Sequence, residues 1–379
     1  MNPPHADAVT PAAPAPRNAA LDGLRGVAIA MVLWHHLVEL HLPPGRSSWL
    51  GWLRASTALS WTGVDLFFTL SGFLIGGILI DQRHSRRLAR VFYLRRALRI
   101  LPLYYVTLLA IAAALAAGLP GSFQLFPGWT YALFLTNIEI ARAGAWDWLP
   151  LSVMWSLAVE EQFYLAAPWL MRLVPPARIP LFACALVVAA ETARVWLLAR
   201  HPSHALSLHV LTPFRMDALA FGIWGSWLVR NPAGGTVLGF LARNAAACAA
   251  CAAAVFATLT IARATEGSAA MALYGYTLIA LCFGAIVPAA AKARPRAMIR
   301  LLESPALVNL GRRSYFIYLW HALLGGSIIR CLGGHDFELH SLGGAGIVAL
   351  AIAATWLASA ASWRWFEGPI VEIGRRHAY

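Results

Sequence analysis

Along the chain, apolar runs of about 20 residues alternate with short polar stretches rich in arginine. A run of that length is what a helix needs to cross the hydrocarbon core of a bilayer. Such runs fall near 22–40, 59–80, 100–117, 154–174, 179–199, 212–229, 244–262, 271–290, 312–331 and 343–365. A further apolar stretch, Trp129 to Ile140, is shorter. The pattern predicts an all-α, polytopic membrane protein with about ten transmembrane helices in one bundle. Residues 1–20, rich in Ala and Pro, lack a basic segment followed by an apolar one, and read as a disordered cytoplasmic tail, not a cleaved signal. Residues 21–370 read as one transmembrane domain, and 371–379 as a second cytoplasmic tail.

Composition agrees with the pattern. The 379 residues are 59% hydrophobic and only 12% charged, against about 25% charged in soluble proteins. The net charge of +13 would also suit a nucleic-acid binder, but basic residues that flank apolar runs fit the positive-inside rule better, and no nucleic-acid partner is expected. That rule also sets the topology. If 129–140 does not cross, both termini share a side with 21 basic residues, and six lie opposite. The expectation is therefore ten spans, both termini cytoplasmic, and 129–140 as a re-entrant or interfacial segment. Cys248 and Cys251 form a CxxC inside an alanine-rich run, which reads as helix packing and not redox chemistry.

The first span, LDGLRGVAIAMVLWHH, carries Arg25 near its start and His36 near its end. Their spacing is almost three helical turns, so both project from one face, about 16 Å apart. His35 lies roughly a quarter turn off that face. The next cytoplasmic loop holds Arg83, Arg86, Arg87, Arg90, Arg95, Arg96 and Arg99. Arg96 and Arg99, spaced i,i+3, form a prong pair on a helix. The loop reads either as topogenic charge facing anionic lipid or as a clamp for a phosphorylated cytosolic substrate.

Counting inward from the outer span ends puts His36, Asp65, Glu160, Glu161, Arg215 and Asp217 in one polar layer. Ionisable groups gathered at one depth in a membrane mark a site more readily than a lone ion pair does. Ser156, Glu160 and Tyr164 share a face of the fourth span, and Ser314, Tyr318 and His321 share a face of the ninth. The span-nine set reads first as inter-helix hydrogen bonds. In the tenth span, Arg364 and Glu367 read as a helix-end ion pair, with Pro369 stopping the helix.

Seven segments resemble the acyltransferase 3 family of integral membrane O-acyltransferases: LDGLRGVAIAMVLWHH, GVDLFFTLSGFLIGG, RRALRILPLYY, MWSLAVEEQFYL, FRMDALAFG, LGRRSYFIYLWH and WRWFEGP. They occur in the family's order from 21 to 370. The family's Arg-x10-His pattern falls on Arg25 and His36, its Arg-x-x-Arg pattern on Arg96 and Arg99, and its acidic pair on Glu160 and Glu161. The resemblance implies a multi-pass protein of the bacterial cytoplasmic membrane. It implies an acyl donor, acyl-CoA and first of all acetyl-CoA, as co-substrate, and a hydroxyl of a cell-surface carbohydrate or similar acceptor. No permanently bound cofactor and no metal are called for. Some members carry an extra span and an SGNH hydrolase-like domain; the sequence to Tyr379 has neither, which suggests the stand-alone form or a separate extracytoplasmic partner enzyme.

In that scheme Arg25, Arg96 and Arg99 bind the donor. His36 takes the acceptor's proton as general base or receives the acyl group transiently, with Asp65 or Glu160 fixing its tautomer. Arg215 or Tyr164 would stabilise the developing oxyanion, with Glu161, Asp217 and His321 in support. A proton-coupled transporter of a small solute is the alternative, since buried His and carboxylates mark proton paths equally well.

Overall fold

The computed structural model describes residues 18–45, 48–118 and 125–379. Most of the expected N-terminal tail, with Arg17, lies outside them, as does Arg46. The described residues contain helices and no strand. Asn18 is already ordered: its side chain accepts the backbone N–H groups of Ala20 and Leu21 and caps α1 (Ala19–Leu37). The first helix thus starts inside the segment expected to be a tail.

A short helix α2 (Trp49–Ser56) leads to α3 (Gly63–Asp81). The arginine-rich loop is not a loop. It folds as the first turns of α4 (Leu88–Ala116), which continues through Pro102 into the apolar run. Two short helices, α5 (Gly128–Ala132) and α6 (Thr136–Ala143), and a turn α7 (Leu149–Ser152) precede α8 (Met154–Leu173). Then follow α9 (Ile179–Arg200), α10 (Ala205–Val210), α11 (Met216–Arg230), α12 (Gly234–Arg243), α13 (Ala245–Ile261) and α14 (Tyr276–Pro288). The chain ends with α15 (Arg296–Leu302), α16 (Pro305–Arg312), α17 (Ser314–Trp320), α18 (Gly326–Gly333), α19 (Leu342–Ser362) and α20 (Gly368–Arg375).

Each of the ten expected spans coincides with helix. Among the described residues seven stretches are long and apolar enough to cross a membrane, and the pair α12–α13, bent by 82°, makes an eighth if it counts as one span. The other two differ for visible reasons. Helix α8 carries Glu160, Glu161 and Arg172, and α11 has only 15 residues.

Helices α3, α8 and α11 finish at the same end of the bundle. Arg230, closing α11, pairs with Asp81, closing α3, at 2.7 Å. Arg83, just beyond α3, donates to the carbonyls of Val174 and Arg172 at the end of α8, at 2.9 and 3.2 Å. Helices α3 and α8 therefore run the same way, and the segment between α4 and α8 returns to the side it left. Helices α5 and α6 suit this, being far shorter than the ~30 Å hydrocarbon core. They are held to α8 by Gln162, whose amide donates to the Phe134 carbonyl and Asn137 Oδ1 at 3.0 Å.

At the C-terminus the expected ion pair is absent. Residues Trp363–Glu367 form a π-turn, which changes the spacing, and Glu367 accepts the Ser362 hydroxyl at 2.8 Å instead. Pro369 does not stop the chain's helix; it sits in the first turn of α20, where a missing N–H costs nothing. The expected tail from 371 is thus helical to Arg375.

Candidate functional site

Two cavities adjoin inside the bundle, with Val64 and Tyr318 lining both. The first, about 260 Å³, is bordered by α1, α3, α4, α8 and α17. Arg25, Arg96 and Arg99 all line it. The Arg96 guanidinium stands 4.7 Å from the centre of the Tyr164 ring. Glu160 lies in this same cavity. Its Oε1 accepts the Ser71 hydroxyl at 2.5 Å and its Oε2 the Tyr164 hydroxyl at 3.0 Å.

The second cavity, about 320 Å³, receives His35, His36, His209 and three tryptophans, Trp61, Trp146 and Trp155. His321, on the π-turn His321–Gly325 that follows α17, fixes the state of His36. Nδ1 of His321 faces only carbonyl oxygens, those of Tyr318 at 2.7 Å and Ile317 at 3.2 Å, so it carries the proton. The Nε2 lone pair of His321 then faces His36 Nδ1 at 3.1 Å, and His36 must donate there. His36 Nδ1 also lies 3.1 Å from the Val32 carbonyl, which demands the same proton. The lone pair of His36 is therefore on Nε2. At the junction, the Tyr318 hydroxyl donates to the Val153 carbonyl at 2.8 Å and accepts from Ser156 at 2.5 Å.

The polar layer expected around His36 is thus split. Asp65 pairs with Arg215, both fully enclosed, and Arg215 lies 3.9 Å from the Tyr276 ring centre. Asp217 pairs with Arg194 at 2.9 Å, and Arg194 also holds Glu191 at 2.6 Å. These residues form a closed network beside the cavities. Glu160 is not a neighbour of His36 either. Its partner Ser71 lies six residues beyond Asp65 on α3, about 9 Å further along the helix. Counting from span ends failed because α3 starts at Gly63 and not at residue 59, and because Ser71, eight residues on from that start, meets Glu160, six residues on from the start of α8. Glu161 leaves its Oε1 buried without a hydrogen-bond partner.

Several site residues were not found from the sequence. His35 lines the second cavity despite its rotation on α1, because the cavity wraps around the helix's last turn. Its partner Glu39 lies four residues on, a spacing that could have been read. Asp147 lines the same cavity, in the stretch between α6 and α7. Burial holds its carboxyl above the ordinary carboxylate value, although Tyr131 and the Trp148 amide both donate to it. Ser71 gave no signal in the sequence.

The all-α bundle and the Arg-x10-His helix bordering two adjoining cavities agree with the membrane acyltransferase class that the sequence resembles. The family model for the acyltransferase domain (acyltransferase 3) matches residues 18–363, and the chain belongs to that family. It is 24% identical over 329 residues to the O-acetyltransferase OatA of Staphylococcus aureus strain NCTC 8325, covering 79% of this chain and 49% of the relative. It is 30% identical over 162 residues to the peptidoglycan O-acetyltransferase OatA of Listeria monocytogenes, covering 39% of this chain and 23% of the relative. The chain thus spans about half the length of the Staphylococcus relatives it matches. No solved structure matches it.

Proposed function

We propose that the protein transfers an acyl group, first of all acetyl, from cytosolic acyl-CoA to a hydroxyl of a cell-surface carbohydrate or similar acceptor. The observation that carries this is the pair of adjoining cavities: three arginines on one, imidazoles and tryptophans on the other, and Tyr318 lining both. In this reading the arginine cavity opens to the cytosol with both termini, in a bacterial cytoplasmic membrane. Arg25, Arg96 and Arg99 hold the phosphates of CoA, and planar guanidinium groups suit that task. The pantetheine arm brings the thioester to the junction. The acceptor enters from outside among the tryptophans. His36 presents its Nε2 lone pair there, as base or as transient acyl carrier, and His321 takes the orienting part that a carboxylate plays in other triads. The names of the relatives support acetyl as the group and a cell-wall polymer as one acceptor class.

Labelled acetyl-CoA and a surface-glycan extract test this. Wild-type protein should release CoA and label the glycan. His36→Ala should lose at least ~10²-fold in rate, the usual scale for a general base. Arg96→Ala and Arg99→Ala should each raise the KM for acetyl-CoA about tenfold, equivalent to ~1.4 kcal/mol. With a truncated donor that lacks the nucleotide phosphates, the two arginine variants should match wild type. Solute uptake without CoA release would overturn the reading in favour of a transporter.

A further inference from the structure

His35 enters the second cavity beside His36, its ring edge-on to that of its neighbour with centroids 4.8 Å apart. Its Nδ1 lies 2.9 Å from Glu39 Oε2, and the Ser60 hydroxyl donates to the same oxygen at 2.5 Å. Glu39 is buried, at 6% exposure. Facing a carboxylate oxygen, the neutral His35 ring donates through Nδ1 and keeps its lone pair on Nε2. An imidazole backed by a carboxylate is the arrangement that takes up a proton and stabilises the resulting imidazolium. The side-chain hydrogen-bond partner of His36 is another neutral imidazole, whose lone pair stands ready to receive the His36 Nδ1 proton. Two adjacent rings thus have unlike capacities: one is built to hold a proton, the other to give one up as Nε2 forms a bond.

We propose that the two divide the reaction, His36 Nε2 carrying the acyl group and the His35–Glu39 pair acting as the base that discharges it to the acceptor. This rests on the acyl-CoA reading above. In the first step His36 Nε2 bonds to the thioester carbon and the C–S bond breaks. Its electron pair leaves on CoA as the thiolate, which is protonated by water. The His36 Nδ1 proton passes to His321 Nε2, leaving a neutral acyl-imidazole. In the second step the acceptor oxygen bonds to the acyl carbon as its proton passes to His35 Nε2. The C–N bond breaks, its pair returns to His36 Nε2, and Nδ1 recovers its proton from His321. The His35 imidazolium, paired with Glu39, then releases its proton to water.

The test uses purified full-length protein and radiolabelled acetyl-CoA with no acceptor added. His35→Asn should take up about one label per chain, removable by hydroxylamine and retained at least tenfold longer than in wild type. Glu39→Gln should fall between the two, and His36→Ala should take none. The proposal is overturned if His35→Asn loses label as fast as wild type, or if His36→Ala labels normally. It is also overturned if His35→Asn and Glu39→Gln stay unlabelled, with unchanged Tm and donor binding, while wild type releases CoA. Should wild type release no CoA even with surface glycans present, the transferase reading falls first and takes this one with it.

Discussion

At the scale of single residues, charge in this bundle is used in two ways. Arg25, Arg96 and Arg99 border a cavity, where a ligand can reach them. Asp65, Arg215, Asp217 and Arg194 are closed off, with exposures of 0–1%. The Nε and Nη1 of Arg215 have no hydrogen-bond partner and lie against the Tyr276 ring, a contact that partly replaces them. This separates structure from chemistry experimentally. Asp65→Asn leaves Arg215 buried without its counter-charge, which costs about 3–5 kcal/mol where a buried pair is broken. Asp65→Leu together with Arg215→Met removes both charges and should recover most of the lost Tm and a large part of the activity. If the double variant is stable and still dead, Asp65 or Arg215 belongs to the reaction, as the sequence had suggested. The sequence revealed the residues whose relation is local. Arg25 with His36, and Arg96 with Arg99, each lie on one helix, so 3.6-residue periodicity was enough. The partners of Glu160 depend on the register between α3 and α8, which no single-chain pattern encodes.

At the scale of elements, small residues set the distances between helices. Helix α3 lies against α11 through Gly72 and Gly222. A Cβ on Gly72 would collide with the Leu219 carbonyl, and one on Gly222 with the Thr69 carbonyl. Such close backbone approach is how helices associate where hydrocarbon offers no hydrophobic drive. Gly222→Val should lower Tm, overpacking alone costing about 1–3 kcal/mol. Gly235→Val on α12, where nothing lies within 4 Å, should leave it unchanged. Equal Tm values for the two would mean that α3 and α11 can separate without loss. Because α3 also presents Ser71 to Glu160, Gly222→Val should disturb the arginine cavity as well. The helices themselves were legible from run length and apolar content. The π-turns were not, since they depend on packing. One of them positions His321 against His36, and another undoes the expected pairing of Arg364 with Glu367.

At the scale of the whole molecule, the two-cavity scheme requires α3, α8 and α11 to run in one direction, away from the acceptor side. The ion pair between Asp81 and Arg230 and the bonds from Arg83 to the end of α8 fix that relative direction. The orientation proposed above adds the absolute one from the positive-inside rule, with the arginine-rich start of α4 in the cytoplasm. Single cysteines in a background without the five native ones can test both at once. Ala145 and Ser203 are exposed beyond α6 and α9, and Ala297 is exposed on α15. With a membrane-impermeant thiol reagent, Ala145→Cys and Ser203→Cys should label on intact cells. Ala297→Cys should label only once the membrane is opened. The reverse pattern at all three would invert the protein, putting the arginine cavity outside and leaving cytosolic acyl-CoA no route to it. The same reversal with Ala117→Cys, exposed just beyond α4, still labelled on intact cells would mean instead that the α5–α6 segment crosses after all. Helix α8 would then run against α3, and the Ser71–Glu160 bond and the shared wall at Tyr318 could not both exist.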